Sequence, residues 1–403
     1  MRVLLAPDSF GGTLTAVQAA RALASGWSRG APHDDVTRLP LADGGPGFVD
    51  ILHASLGGDV VPVTVRGPLG EDVPAALLCV PGATGPTVYV ESAHAAGLHL
   101  VPPDRRDPTV TTSFGVGELV LAARSLGAVR VVVGLGGTGT NDGGAGALAA
   151  LGMASPLLRR GGGALVDVGP ADVADLAAAR AAVAGLDLVV ATDVDVPLLG
   201  LHGASAGFAA QKGATPQQAQ DLERALGRFA AMLDASDDPP PGRVLPLTVR
   251  GPGVDLGAAE SGGRRPTQLP GAGAAGGLGF GLAVVGARLL PGAAVVADAV
   301  GLAGRLAAAD LVVTGEGTLD WQSLHGKVVS AVASAAADHG VPVVVVAGQV
   351  TLGRREWSAA GISGAYAVAE RPEEVAAALD DPAGTLSARA ERVARTWSPV
   401  SPA

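Results

Sequence analysis

Apolar residues in this chain come in short, unbroken, β-branched runs, and several runs end in a turn of glycine with acidic or hydroxyl residues. The clearest case is Val131-Val132-Val133, which leads into the glycine-rich turn at 134–144 and then into a small-residue helix over Ala145–Leu151. Such a run reads as a strand buried on both faces, as in a parallel sheet. The glycines permit positive φ and close backbone approach, and the helix behind adds the positive end of its dipole, so the turn suits an anion. Asn141 and Asp142 add hydroxyl, carboxylate or metal recognition at the same place. The plainer alternative is a tight turn with Asp142 capping the helix.

The same pattern recurs. Arg2–Ala6 and Val36–Leu41 predict buried strands, each followed by a polar turn (Pro7–Gly12, Ala42–Gly47) and a helix. The first helix carries Val17, Ala20, Leu23, Ala24 and Trp27 on its apolar face, and the second spans Phe48–Leu56. Strand, turn and helix repeated in this way mark a parallel α/β sheet. From about residue 58 the period changes. Asp59–Arg66, Val73–Val80 and Pro86–Glu91 alternate between Gly/Pro turns, which predicts an antiparallel meander. Thr112–Leu126 predicts a helix, Leu186–Ala191 a buried strand, and Thr215-Pro216-Gln217-Gln218 a capped helix start. Asp310–Thr314 and Val341–Ala347 return to parallel-strand character, and Leu386–Trp397 predicts a closing amphipathic helix. The predicted fold is α/β with two domains. A discontinuous Rossmann-like domain, 1–57 and 290–403, is interrupted by a mixed α/β domain over 58–289, with the site in the cleft between them.

Composition narrows the function. The chain has 403 residues, of which 48% are hydrophobic but only 3% aromatic, so its core is aliphatic. Lys+Arg is 28 against Asp+Glu 38, a net charge of −10, which argues against nucleic acid or an anionic membrane as partner. One cysteine, Cys79, allows no intrachain disulfide and fits a reducing cytoplasm. No apolar run approaches the roughly 20 residues that span a bilayer.

In open parallel sheets, ligands lie beyond the carboxyl ends of the strands. The turns there carry Asp8, Asp43, Asn141, Asp142, Asp193, Asp195, Glu316 and Asp320, more acids than capping requires, which points to a site with a metal ion. Asp193-Val194-Asp195 offers two carboxylates for a hard cation or a general base, or a simple turn before Pro197. Gln211-Lys212-Gly213 offers a cation beside a helix start, or a solvated surface lysine. Thr314-Gly315-Glu316-Gly317 with Asp320 and Gly326-Lys327 has the makings of a loop that meets phosphates or Mg²⁺. Gly134–Gly139 fits GxGxxG, but Arg159-Arg160 rather than an acid follows about 20 residues on, which disfavours a nicotinamide cofactor. No GxxxxGK[ST] P-loop is present.

Taken together these segments resemble the glycerate kinase family, in its bacterial type without a P-loop. The resemblance is carried, in order, by Ala6–Phe10, Ala42–Gly45, Gly136–Gly144, Ala191–Pro197, Gly203–Ser205, Gln211–Pro216, Gly271–Gly277 and Thr314–Gly317 with Asp320 and Gly326-Lys327. It implies ATP- and Mg²⁺-dependent phosphorylation of D-glycerate, with 2-phosphoglycerate favoured as product. Under it Asp193, Lys212 and Asp8 are the expected catalytic residues, with Asp193 as base. Asp195 and Glu316 are the expected Mg²⁺ ligands. Gly136, Gly137, Thr138, Asn141, Asp142, Gly315 and Lys327 are the expected nucleotide contacts, and Ser9, Asp43 and Gly44 the substrate contacts. The chain departs from the family pattern at three places: Gly11 stands where the family has lysine, Pro46 where it has glutamate, and Thr318 where it has arginine. These departures imply, as the alternative, a weak or shifted-specificity sugar-acid kinase or binder.

Overall fold

The buried runs pair into two sheets. In the computed structural model, which describes residues 1–192, 194–235, 250–251, 254–255 and 265–398, the first sheet is wholly parallel. Its order is Ile362–Ala367, Val343–Ala347, Leu311–Thr314, Arg2–Leu5, Asp35–Arg38. The second is mixed, in the order Arg288–Pro291, Asp187–Thr192, Arg130–Gly134, Thr87–Glu91, Asp72–Val80, Asp59–Arg66. Its last two pairings are antiparallel, and they form the meander that the alternating pattern predicts. Its other pairings are parallel. The fold is α/β, with one parallel and one mixed sheet.

The strand predicted over Val36–Leu41 ends early, at Arg38. Pro40 has no N–H to continue the ladder, and Leu39 and Leu41 instead donate to the carbonyls of Leu5 and Pro7 as the chain leaves the sheet. The first strand back in the parallel sheet is Leu311–Thr314, while Arg288–Pro291 closes the edge of the mixed sheet. The proline-rich connection at Ser236–Gly242 lies outside the described residues.

Helices cover both sheets. Ala16–Gly30 and Pro382–Trp397 pack together on the outer face of the parallel sheet, around Leu23, Trp27, Leu386 and Val393. The absence of a Cβ at Gly26 and Gly30 lets the first helix press against the backbone of the second. Between the sheets lie Phe48–Leu56, Gly292–Ala299 and Val328–Asp338. Their apolar cluster includes Leu4 and Val312 from one sheet and Leu78, Val132 and Val189 from the other. On the far face of the mixed sheet, Phe114–Ser125, Ala145–Ala150, Ala274–Val284 and Pro216–Asp234 surround Leu119, Leu148, Phe229 and Phe280. Thr215 caps the last of these through a reciprocal bond with Gln218, as its sequence predicts. Among the described residues no helix is long and apolar enough to cross a membrane.

One buried ion group ties the mixed sheet laterally. Asp187 is 1% exposed and accepts from Arg130 at 2.7 Å and from Arg288 at 2.8 Å, so three adjacent strands share one carboxylate. Removing it leaves two largely buried guanidinium groups facing each other. Asp187→Ala is expected to cost about 3–5 kcal/mol of unfolding free energy. Urea denaturation checks this, and a loss below about 1 kcal/mol would mean that the arginines find other acceptors.

Candidate active site

Three turns at the carboxyl ends of the parallel strands meet in one cavity of about 330 Å³. The first turn follows Arg2–Leu5. The Asp8 N–H bonds the Gly315 carbonyl at 2.8 Å, and the Thr314 hydroxyl bonds the Ala6 carbonyl, so the turns at 7–9 and 314–316 are locked together. The Pro7 carbonyl also receives the Leu41 N–H, which delivers the Asp43 turn to the same place. Asp8, Ser9, Asp43, Glu316, Asp320 and Lys327 line the cavity. Gly11, Pro46 and Thr318, the three departures from the family pattern, line it as well.

The charges are unbalanced. Burial first, then the neighbouring Asp43, pushes the half-buried Asp8 up to about 7. Burial likewise pushes Glu316 up to about 7, against the pull of the Ser323 hydroxyl and Lys327. Glu316 Oε1 is buried with no hydrogen-bond partner. Lys327 is the N-cap residue of the helix Val328–Asp338, where a cation opposes the helix dipole. Asp320 is partly committed locally, accepting from the N–H groups of Gln322 and Ser323.

Other predicted residues lie elsewhere. Asp193 falls outside the described residues. Asp195 is exposed and is not part of the cavity lining. Gly44, at φ 99°, packs against the Ala191 carbonyl just behind Asp43, and Gly315 packs under the Val346 carbonyl. Gly136 and Gly137 press against Gly45 and Pro46, so their turn backs the cavity wall from the mixed sheet. Thr138, Asn141, Asp142 and Lys212 are buried and form a second polar group. There Asp142 accepts from the Ser113 N–H and hydroxyl at 2.8 Å and from the N–H groups of Gly144 and Gly146, which ties Ser113 to the start of the helix Ala145–Ala150, whose N-cap position is Gly144. Lys212 donates to the Thr140 carbonyl at 2.7 Å. Burial lowers it to about 8, with Asp142 opposing. Lys212 is therefore an interior residue, not the solvated surface lysine that its sequence context also allows. Asn141 donates to the Ser205 hydroxyl, and its Oδ1, like the Thr140 hydroxyl, is buried without a partner.

Sequence reasoning missed the role of Glu91. Its carboxylate, 4% exposed, accepts from the N–H groups of Gly47 and Val49 and holds the start of the helix Phe48–Leu56 beneath the Asp43 turn. Its place at the end of a strand next to Ser92 and His94 was the available signal.

Fold and cavity together define an α/β protein whose ligand site lies beyond the carboxyl ends of parallel strands. A family model described as the glycerate kinase family matches residues 3–398. The chain belongs to the glycerate kinase family of enzymes. It is 40% identical over 357 residues to a Bacillus subtilis protein named glycerate kinase, covering 87% of this chain and 86% of that one. It is 37% identical over 364 residues to an Escherichia coli protein named glycerate 2-kinase, covering 87% and 86%. A crystal structure described as that of a proposed glycerate kinase 2 from Salmonella typhimurium LT2 superposes with a TM-score of 0.75 at 36% identity, covering 98% of both chains.

The raised carboxyls have a stability consequence. Between their unfolded values near 4 and about 7, the folded state holds protons that the unfolded state has released, so stability falls as pH rises through that window. Asp8→Asn removes one of these groups. The ligand-free variant is expected to match the parent at or below pH 4 and to exceed it by roughly 3–4 kcal/mol at pH 8. A stability difference that does not change between those pH values would show that Asp8 ionises freely.

Proposed function

We propose that this enzyme transfers the γ-phosphoryl group of ATP to the 2-hydroxyl of D-glycerate, giving 2-phosphoglycerate, and that Mg²⁺ assists. The observation that carries the reading is the cavity in which Asp8, Asp43, Glu316 and Lys327 converge from three strand ends in a chain of this family. Phosphoryl transfer needs positioning and charge neutralisation more than covalent chemistry. The Escherichia coli relative's name supports the 2-hydroxyl as acceptor. The division into an outer unit, 1–57 with 290–403, and an inserted unit, 58–289, belongs to the same proposal, as does a cytoplasmic location.

Lys327 holds phosphate oxygens, and Ser9, Asp43 and the Gly44 backbone orient the hydroxy acid. Asp193 is the proposed base for the hydroxyl proton, and Asp8 the proposed catalytic acid within the cavity. Lys212 acts from the mixed-sheet side, next to the Gly136–Gly144 turn. The unpartnered Glu316 Oε1 fits a hard cation. Among the described residues no three acids, histidines or cysteines are grouped to hold a metal ion, which suits an ion that takes one or two carboxylates and completes its shell with phosphate oxygens and water. Glu316 is the proposed ligand within the cavity, Asp195 lying outside its lining, and Mg²⁺ bound there would neutralise charge on the transferring phosphates.

A second reading, shifted specificity within hydroxy acids, is favoured by one observation: Gly11, Pro46 and Thr318 share the cavity lining. A coupled ADP-release assay over a panel of hydroxy acids, with the product identified by phosphorus NMR, decides between the two. D-glycerate is expected to give the highest kcat/KM, with 2-phosphoglycerate as product. Lys327→Ala is expected to raise KM for ATP about 10–150-fold, the worth of one charge-assisted hydrogen bond. Asp193→Asn is expected to lower kcat about 10²–10⁴-fold. No ADP release with any hydroxy acid would remove the kinase reading.

A further inference from the structure

A second cavity of about 240 Å³ adjoins the acidic one and shares Gly11, Gly317 and Thr318 with it. The neck between them is formed by two glycines, Gly11 and Gly317, and by Thr318. Gly317 and Gly348 are packed against neighbouring backbone, but Gly11 has nothing within 4 Å of where its Cβ would stand, so the room at the neck lies over Gly11. Beyond the neck the walls turn apolar. Phe10 and Leu386, both nearly buried, form the floor.

The roof is the short helix Val375–Asp380, which buries none of its own residues. Val375, Ala378 and Leu379 nevertheless line the cavity, at the i, i+3, i+4 spacing of one helix face. Leu379 is 59% exposed, a large apolar side chain at the mouth. Gln349 also lines the cavity, is exposed and makes no side-chain hydrogen bond among the described residues, so its amide offers both a donor and an acceptor. An apolar slot with one free amide at its edge suits a flat heteroaromatic ring. Its continuity with the cavity of Lys327 supplies the occupant.

We propose that the nucleoside end of the phosphoryl donor sits in this slot. The purine lies between Phe10 and the Val375–Ala378–Leu379 face, and the polyphosphate passes through the glycine neck toward Lys327. The inference rests on the reading of the protein as an ATP-dependent kinase. It assigns the base to the unit built from the two ends of the chain, on a helix that sequence patterning did not single out.

The test uses calorimetric binding of ATP and of inorganic tripolyphosphate, which lacks the nucleoside, together with KM for ATP and for D-glycerate. Ala378→Trp fills the slot and Leu379→Ser strips its mouth. The parent is expected to bind ATP at least about tenfold tighter than tripolyphosphate. Ala378→Trp should weaken ATP about tenfold or more and Leu379→Ser roughly threefold to fivefold, with tripolyphosphate and KM for D-glycerate within about twofold of the parent. Retained ATP affinity in Ala378→Trp overturns the proposal, and so does an equal loss of ATP and tripolyphosphate. If Ala378→Trp fails to fold, Leu379→Ser decides: unchanged ATP affinity overturns the assignment. Self-association that Leu379→Ser abolishes, with ATP binding unchanged, would give the face to a second copy of the chain and also overturn it. Turnover of ATP that persists while the variants bind it normally removes only the base assignment. A parent that neither binds nor turns over ATP removes the kinase reading itself.

Discussion

The site depends on one close backbone contact between the two sheets. The Asp43–Gly45 turn leaves the parallel sheet and wedges against the strand ends of the mixed sheet. The Gly44 carbonyl accepts the Gly136 N–H at 3.1 Å, and a Cβ on Gly44 would stand 2.8 Å from the Ala191 carbonyl. A Cβ on Gly136 would collide with Gly45, and one on Gly292 with the Asp43 carbonyl. Chain segments approach this closely only where at least one of them lacks a side chain. Glu91 then fixes the far side of the turn through Gly47 and Val49. The position of Asp43 is thus set by contacts to both sheets, and any relative movement of the sheets at this point moves Asp43 against Asp8 and Glu316.

That geometry works against stability. Asp8, Asp43 and Glu316 share one cavity, and among the described residues Lys327 is the single cation in its lining. Burial holds two of the three acids near 7 rather than near 4. A core designed for stability alone would not leave Glu316 Oε1 without a partner. Strain of this kind persists where a ligand completes the site, because the groups that repel each other in the empty cavity are those that a charged ligand brings into balance.

Much of this was legible in the sequence, for local reasons. Strand and helix assignments rest on periodicity and on nearby signals, and Thr215, Gln218 and Phe48–Leu56 fall where those signals place them. Asp8, Asp43 and Glu316 were identifiable because each follows a buried run and ligands gather at strand ends, and Lys327 because Gly326-Lys327 opens a helix after the Glu316 turn. The burial of Lys212 was not legible. Its acceptor, the Thr140 carbonyl, is 72 residues away, and a Gln-Lys-Gly triplet before a helix start looks the same whether it is covered or solvated. Asp142 was open to two readings because a helix-capping acid and a ligand-binding acid share the same local sequence; its four donors, two from Ser113 and two from the start of the helix, come together only in the fold. The apolar face at 375–379 escaped notice because three positions on a six-residue helix are too few to set a period.

The three departures acquire a common meaning in space. Gly11, Pro46 and Thr318 are far apart in the chain yet line one cavity, where the family pattern places two cations and one acid. Replacing them removes two positive charges and one negative, a net change of −1 in a cavity that already holds more acids than bases. An anionic hydroxy acid would be repelled from such a place if every carboxyl were ionised. Protonation is the means left to the chain: with Asp8 and Glu316 titrating near 7, a neutral solution finds the cavity well short of its full formal charge. Gly11, at φ 52° with open space where its Cβ would stand, adds a bare backbone edge where the family carries a long cationic side chain. If the proposed kinase site is the working one, its ligand recognition would rest less on side-chain cations and more on backbone groups and protonated acids, and would depend more strongly on pH than a site in which lysine and arginine supply the charge.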